Sequence, residues 1–326
     1  MISGFLCVIL PIVVTLGILR KYRESKWGKF ESQDSLKGKV FIITGANSGI
    51  GKETTRCLVQ RNAKVIMACR DIKSAKKAIA DIRTTTANGE MIPLYLDLQS
   101  LDSIKTFANI ILQDFPKIHV LINNAGISIP CRQSSITDDG FEIHFQVNYL
   151  GHFILTKLLL ARLQESAPSR IVILSSTLHE RGSIDFENLN GENGFDLKTR
   201  FNPPYCNSKL MDTYFAYELR NKLQNSGVSV YAVCPGWCKT GLMRHSRLTW
   251  YKWPIFLMVA IFFMRSSYQG CQTVVYCATS EELELQKEDW FYRDCQKYKS
   301  KHDFNAQISD KLWQVSEQLI ANTKKF

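Results

Sequence analysis

From Met1 to Leu19 the chain carries no charged side chain, and Phe5–Leu10 and Ile12–Leu19 are almost wholly apolar. A helix needs roughly 20 such residues to cross a bilayer. The first charges, Arg20, Lys21 and Arg23, follow the apolar run instead of preceding it. That is the order of a retained anchor, with a cleaved signal or a buried core helix as the alternatives. Pro11 would kink a span without forbidding it. The expected organisation is a membrane helix over 1–20, a polar tether over 21–35 broken by Gly28, and one globular domain over 36–326.

After Leu36 the pattern changes to alternation. Apolar, β-branched runs of strand length occur at Val40–Ile43, Lys64–Ala68, Met91–Leu96, Val120–Ile122, Ile171–Leu174 and Val228–Val233. Between them lie helical stretches at Ile50–Gln60, Ile72–Ile82, Leu101–Asp114, Phe141–Leu163 and Tyr205–Leu223. Strand and helix in alternation mean parallel strands with crossover helices, and continuous apolar strands mean a sheet covered on both faces. The fold class predicted is α/β, a doubly wound parallel-sheet Rossmann fold behind an amino-terminal transmembrane helix.

Charge narrows the partners. The chain has 41 Lys and Arg against 30 Asp and Glu, but the excess is scattered, apart from a cluster at Arg20, Lys21, Arg23, Lys26 and Lys29 just after the apolar run. No basic stripe is interleaved with aromatics, so nucleic acid is not expected as a partner. The positive-inside rule places the cluster, and the domain after it, on the cytosolic side. Ten cysteines without a C-x-x-C pair, set in apolar runs, agree with a reducing compartment. The histidines show no metal-ligand spacing, so no metal is expected.

The first strand ends in Thr44-Gly45-Ala46-Asn47-Ser48-Gly49-Ile50-Gly51 and a helix follows at once. Glycines there permit a tight turn and let backbone approach a pyrophosphate, while the N–H groups at the helix start bind the anion. A structural β-turn is the plainer alternative. The second strand ends in Ala68-Cys69-Arg70-Asp71. An acidic residue near this point binds a ribose 2′-hydroxyl, and an Arg accommodates a 2′-phosphate. Arg70, with Lys52, favours NADP(H); Asp71 facing the ribose instead would favour NAD(H).

Tyr205 and Lys209 stand four residues apart in Tyr205-Cys206-Asn207-Ser208-Lys209, just after Pro203-Pro204. Pro suits a helix start, and the spacing places phenol and ammonium on one face. A cation lowers the pKa of a nearby phenol, which a proton donor to a developing alkoxide requires. Alone the spacing reads equally as an exposed helix pair. It gains meaning from Ser175-Ser176 at the carboxyl end of the fifth strand, where open α/β sheets bind ligands, and from Asn148, a polar residue in an apolar helix.

Together these motifs resemble the short-chain dehydrogenase/reductase family: T-G-x-x-x-G-I-G, the Asn123-Asn124-Ala125-Gly126 segment, the serine after strand five and Y-x-x-x-K occur in the family's order. The resemblance runs from about Leu36 to the carboxyl terminus. It implies that Gly45, Asn47, Ser48, Gly49, Ile50 and Gly51 cradle the cofactor with Lys52 and Arg70. It implies too that Asn123, Asn124, Ala125 and Gly126 stabilise the central sheet beside the cofactor, and that Asp97 contacts its adenine. Asn148 would hold a water in a proton relay through Lys209. Ser176 would bind and polarise the substrate carbonyl, Tyr205 would be the acid/base, and Lys209 would also hold the nicotinamide ribose. Pro235, Gly236 and Thr240 would close over the nicotinamide. The Ala68–Asp71 run, Ala167-Pro168-Ser169-Arg170-Ile171-Val172, Tyr205–Lys209 and the anchor look like the membrane-bound retinol dehydrogenase/retinal reductase branch. Trp237-Cys238 departs from the smaller residues usual after Pro-Gly, and the stretch from Ser176 to Tyr205 is longer than in many relatives.

A second apolar run, Ile255–Met264 behind Trp250 and Trp253, is too short to span a bilayer. Residues 250–264 are expected beside the substrate entrance, in the membrane interface with the tryptophans at headgroup level, or else as a core helix or dimer face. The expected function is NADP(H)-dependent interconversion of a lipophilic aldehyde or ketone and its alcohol, retinal and retinol foremost, at the cytosolic face of the endoplasmic reticulum membrane. The same chemistry on steroid, isoprenoid or fatty carbonyls, and a non-catalytic NADP(H)-binding protein, are the alternatives. A homo-oligomer is compatible with either.

Overall fold

A computed structural model describes residues 2–196, 198–199, 201–242, 253–285 and 288–323; the side chains of 2–13, 254, 255, 258 and 285 lie outside that description. After α1 (Ile2–Ser25) the chain alternates through β1 (Val40–Thr44), α2 (Gly49–Gln60), β2 (Lys64–Cys69), α3 (Ile72–Arg83), β3 (Glu90–Tyr95), α4 (Leu101–Asp114) and β4 (Val120–Asn123). It continues through α5 (Gly151–Glu165), β5 (Ser169–Leu174), α6 (Pro203–Lys222), β6 (Val228–Cys234), α7 (Trp253–Phe263), α8 (Ser267–Thr279), α9 (Glu282–Leu285), β7 (Phe291–Arg293), β8 (Gln296–Lys297) and α10 (Ala306–Asn322).

The strands form one sheet in the order β3-β2-β1-β4-β5-β6-β7-β8. Pairing is parallel from β3 to β7, and β8 turns back antiparallel on β7. Register aligns Ile42 with Ile66 and Leu121, Leu121 with Ile171, and Ile171 with Val230. Because side chains alternate faces along a strand, that row packs with residues of α4, α5, α6 and α10 in one core. Phe41, Ile43, Met67, Ile122 and Val172 face a second core with residues of α2, α3 and α8. The doubly wound α/β architecture is therefore as expected. The chain winds outward from β1 to β3 and then restarts at β4 beside β1, leaving a crevice at the carboxyl ends of β1 and β4 where such sheets bind ligands.

Three parts differ from the expected elements. β7 and β8 extend the sheet; β7 runs for three residues and β8 for two, too short to give a periodic signal. The helix expected over 141–163 is interrupted by a π-helical turn at Phe145–Leu150, a wide turn of the kind often found at functional sites. The segment expected to be a tether is packed. Trp27 is 8% exposed, between the guanidinium groups of Arg20 and Arg265, 4.6 and 4.8 Å from its ring. Phe30 meets Tyr276 edge to face, and its N–H donates to Gln272 Oε1. A Cβ on Gly28 would stand 2.1 Å from the Asp294 backbone, so strap and sheet edge touch main chain to main chain.

α1 is helical along its described backbone, but among the described residues no helix is long and apolar enough to cross a membrane. Most of the run read as an anchor has side chains outside the description, as does Trp250. The end of α1 packs on α7: Arg20 Nη1 donates to the Met264 carbonyl at 3.0 Å, and Arg23 lies 4.1 Å over the Phe263 ring.

Gly28→Ala is expected to lift the strap, because the Asp294 main chain cannot retreat as a flexible side chain would. The loss should be about 1–3 kcal/mol, the usual cost of overpacking, read as a lower Tm together with faster proteolysis within 26–35.

Candidate active site

The glycine turn is built by exclusion. Gly45 and Gly49 adopt φ values of +66° and +55°, which side-chain-bearing residues rarely adopt. A Cβ on Gly51 would stand 2.6 Å from both Asn124 Nδ2 and the Gly45 carbonyl. Asn124 Nδ2 donates to the Thr44 carbonyl at 2.6 Å, tying the end of β4 to the turn. The Ser48 side chain caps no N–H of α2, and the helix has no acidic residue in its first turn. These donors suit an anion. Thr240 lies across the turn, its Cγ2 3.1 Å from where a Gly49 Cβ would be. Thus Asn47, Ser48 and Ile50 in the turn, Asn124, Ala125 and Gly126 after β4, and the Pro235–Thr240 segment converge on one crevice.

The periphery is less uniform. Arg70 is exposed at the end of β2. Asp71 turns its carboxylate into the start of α3, accepting from Ser74 N at 3.0 Å and Ser74 Oγ at 2.5 Å, which holds it below the usual carboxylate range. Lys52 Nζ pairs with Asp81 at 2.7 Å, and Arg56 shares the same carboxylate. Asp97 is half-buried, its carboxylate accepting from Gln99 N at 3.0 Å.

At the carboxyl end of β5, Tyr205 and Lys209 lie on one face of α6, both buried. Asn202 precedes the helix and anchors its start by donating to the Ile129 carbonyl at 2.7 Å. Burial is the largest influence on the Tyr205 phenol and raises its pKa, while the Lys209 charge and the nearby Ser176 hydroxyl pull it down. The net shift is upward, so the phenol holds its proton at neutral pH and is a donor. A further positive charge in the crevice would shift the balance toward phenolate.

Asn148 sits in the π-helical turn, fully buried. Its Oδ1 accepts from Ile127 N at 2.8 Å, and its Nδ2 donates to the Ile127 carbonyl and to Ser208 Oγ, at 3.1 and 2.9 Å. Ser208 Oγ donates in turn to the Tyr205 carbonyl at 2.8 Å. Asn148 thus braces the β4 loop against α6. The Asn148 carbonyl meets His152 Nδ1 at 2.7 Å, and Lys209 Nζ donates to the Leu174 carbonyl and to Asp212 Oδ2.

Four contributors did not stand out in the motifs. Thr44 Oγ1 accepts from Asn124 N and Ala125 N, each at 2.9 Å, and contacts His152 Nε2 at 2.9 Å. The third and fourth are Ser208 and Asp212. Burial lowers the His152 pKa to about 3, so its ring is neutral; with Nδ1–H spent on the Asn148 carbonyl, Nε2 accepts from Thr44. A signal existed for Asp212 alone: it falls three residues after Lys209 and seven after Tyr205, a carboxylate on the same stripe of a helix otherwise apolar there.

The short chain dehydrogenase family model matches residues 39–250. Human retinol dehydrogenase 11 is 42% identical over 97% of this chain and 96% of its own length. Bovine retinol dehydrogenase 12 is 41% identical over 97% and 95%, and mouse retinol dehydrogenase 13 is 40% identical over 90% and 87%. A crystal structure of a putative uncharacterized protein from Mycobacterium paratuberculosis superimposes with a TM-score of 0.66 at 31% identity, covering 88% of this chain and 95% of the other. The chain belongs to the short-chain dehydrogenase family. Within it the chain falls in the retinol dehydrogenase branch, and it is an oxidoreductase acting on CH–OH groups with a nicotinamide cofactor. The glycine turn fits that cofactor's pyrophosphate, since Gly45 and Gly49 hold left-handed backbone and the N–H groups at the start of α2 have no side-chain cap from Ser48.

Gly51→Ala should push Asn124 off the Thr44 carbonyl and weaken dinucleotide binding by about one to two orders of magnitude, the equivalent of ~1–3 kcal/mol of overpacking. Fluorescence titration with NADPH reads it; an unchanged Kd rejects this account of the turn.

Proposed function

We propose that the protein interconverts a lipophilic carbonyl compound and its alcohol, retinal and retinol foremost, with Tyr205 as acid/base. The observation that carries this reading is a buried phenol beside the Ser176 hydroxyl, one helical turn from a buried ammonium, at the ligand-binding end of a central strand. The bound nicotinamide supplies or accepts the hydride. In reduction Tyr205 donates its proton to the developing alkoxide, and in oxidation it accepts the alcohol proton. Ser176 Oγ shares that oxygen and aligns it with the phenol. Lys209 stabilises the phenolate left behind. Asn148 keeps α6 and the β4 loop in register, and Gly126, within 3.7 Å of Lys209 Nζ by its would-be Cβ, leaves room for the cofactor's ribose.

Retinoids are favoured by the names of the relatives, three retinol dehydrogenases at 40–42% identity. NADP(H) is favoured by charge placement: Asp71 is spent on capping α3, whereas Arg70 beside it is exposed. Lys52, committed to Asp81, contributes less directly. With purified full-length protein, retinal reduction should run faster with NADPH than with NADH, and Tyr205→Phe should lower kcat by about 10²–10⁴-fold. Full activity in that variant would overturn the acid/base role. A wild-type chain that binds NADPH but reduces no lipophilic aldehyde would instead be a tethered binding protein.

The same reading places the chain on the endoplasmic reticulum membrane with its domain in the cytosol, through the amino-terminal helix and α7. α7 exposes Leu257 and Ile261, at 56% and 55%. α1 exposes Ile18 and Leu19 beside the basic residues that follow the apolar run. Trp237, next to Pro235-Gly236, stacks edge to face on Phe256 of α7, so this surface adjoins the segment that closes the crevice. The described cysteines are all free thiols, as a cytosolic domain would keep them. Leu257→Ser with Ile261→Ser should reduce retention of the protein on phosphatidylcholine liposomes and raise the KM for liposome-borne retinal, leaving the NADPH Kd alone. Unaltered retention and KM would assign α7 to packing.

A further inference from the structure

The Lys209 ammonium is held from two sides. Its Nζ donates to the Leu174 carbonyl at 2.9 Å and to Asp212 Oδ2 at 2.8 Å, one helical turn further along α6. The pair is closed off, with side chains 6% and 1% exposed. Asp212 Oδ1 is buried without a hydrogen-bond partner among the described residues. A carboxylate so placed is costly to bury, and a neutral amide would accept from Lys209 as well. Among the described residues, no other carboxylate is paired with Lys209.

We infer that Asp212 is a positioning residue for proton transfer at Tyr205, acting through Lys209: it fixes where the ammonium sits and how much of its charge the phenol meets. The inference rests on the reading of Tyr205 as acid/base. Lys209 has three N–H bonds. Two are spent on Leu174 and Asp212, which pins the ammonium beneath the phenol and leaves one for another acceptor in the crevice. Through space the carboxylate opposes the ammonium, and it raises the phenol pKa while Lys209 lowers it. A phenol tuned by Lys209 alone would lose its proton at lower pH. Asp212 therefore biases the site toward the protonated phenol, the form that reduction uses.

The groups facing this pair are few. Tyr205 shares α6; Tyr149 approaches Asp212 from the π-helical turn, and His152 approaches Lys209 from α5. Cys234 approaches Lys209 from β6. His152 is neutral, and burial holds Tyr149 and Cys234 in their protonated forms. Among the described residues, only Asp212 supplies negative charge near Lys209 in the working pH range. Burial raises its own pKa to about 6, against the pull of Lys209, so the carboxylate is charged at neutral pH and begins to be lost below it.

Asp212→Asn keeps the acceptor for Lys209 and removes the charge. In that variant the alkaline limb of retinal reduction and the acid limb of retinol oxidation should both move to lower pH, by about one unit, the scale of a close charge. A purely structural role would lower activity at every pH without moving either limb. Labelling the tyrosine ζ-carbons, with the Tyr205 signal assigned by its loss in Tyr205→Phe, reads the phenol's ionisation by NMR without turnover. A profile and NMR titration superimposable on the wild type's would overturn the inference. A wild type inactive on every carbonyl, with the Tyr205 titration still displaced in Asp212→Asn, would overturn the proposed reaction and leave only the charge coupling of Asp212 to Tyr205. Should Asp212→Asn not fold, Asp212→Ser, smaller and equally neutral, carries the same expectation.

Discussion

The Thr44 hydroxyl joins β1, the loop after β4 and α5. It ends β1, fully buried, accepts from two successive backbone N–H groups after β4, and donates to a neutral imidazole on α5. One oxygen satisfies two partly buried N–H groups, and where water cannot replace it, leaving either unmade costs about 1–3 kcal/mol. The consequence is geometric. The β4 loop cannot move away from the glycine turn, so Asn124 stays over the Thr44 carbonyl and Gly51 must remain glycine. Through His152 and the Asn148 carbonyl the same chain of contacts reaches the π-helical turn, and through Ser208 it reaches Tyr205. The glycine turn and the Tyr205–Lys209 pair are thus two ends of one polar network rather than two sites on a shared sheet.

Much of this was legible in the sequence because parallel strands buried on both faces leave continuous apolar runs, and the six expected strands are all present within a residue or two at either end. The glycine turn, Ser176, Tyr205 and Lys209 could be singled out because the chemistry proposed for them demands particular residue types at fixed distances from strand ends. What escaped has physical reasons as well. β7 and β8 are too short for periodicity, and the strap over 26–35 is polar in composition although Trp27 and Phe30 carry its packing. Thr44 and Ser208 are small hydroxyl residues whose importance lies in which backbone groups they meet, and that depends on contacts between residues 80 positions apart. The proton relay expected through Asn148 and Lys209 rests on the family resemblance alone; the Asn148 side chain meets the Ile127 main chain and Ser208.

The strap alters how an anchored enzyme of this kind would sit on a bilayer. A flexible linker would let the domain tumble at a distance from its anchor. Here Arg20 at the end of α1 bonds the carbonyl at the end of α7, and Trp27 lies between Arg20 and Arg265. Arg265 reaches further. It is buried, its N–H donates to the Trp237 carbonyl, and its guanidinium both pairs with Asp294 and lies where a Cβ on Gly236 would be. The residues between α1 and the body therefore also brace Pro235-Gly236-Trp237, which adjoin the crevice.

That bracing bears on substrate choice. Gly236 has a φ of +79° and no room for a side chain, so the backbone there is set by Arg265 and cannot adapt to what enters. Adaptation is left to side chains on the outer wall, where half-exposed Trp237 stacks on Phe256 of a helix whose other face is apolar and open. A rigid inner wall with aromatic groups at its mouth discriminates weakly among flat, lipophilic molecules and strongly against hydrated polar ones, because desolvating a polar group without a partner costs several kcal/mol. Under the proposed function, selectivity among retinoid, steroid and isoprenoid carbonyls would depend on the shape left beside Trp237 and α7, while the hydride and proton chemistry would stay the same for all of them.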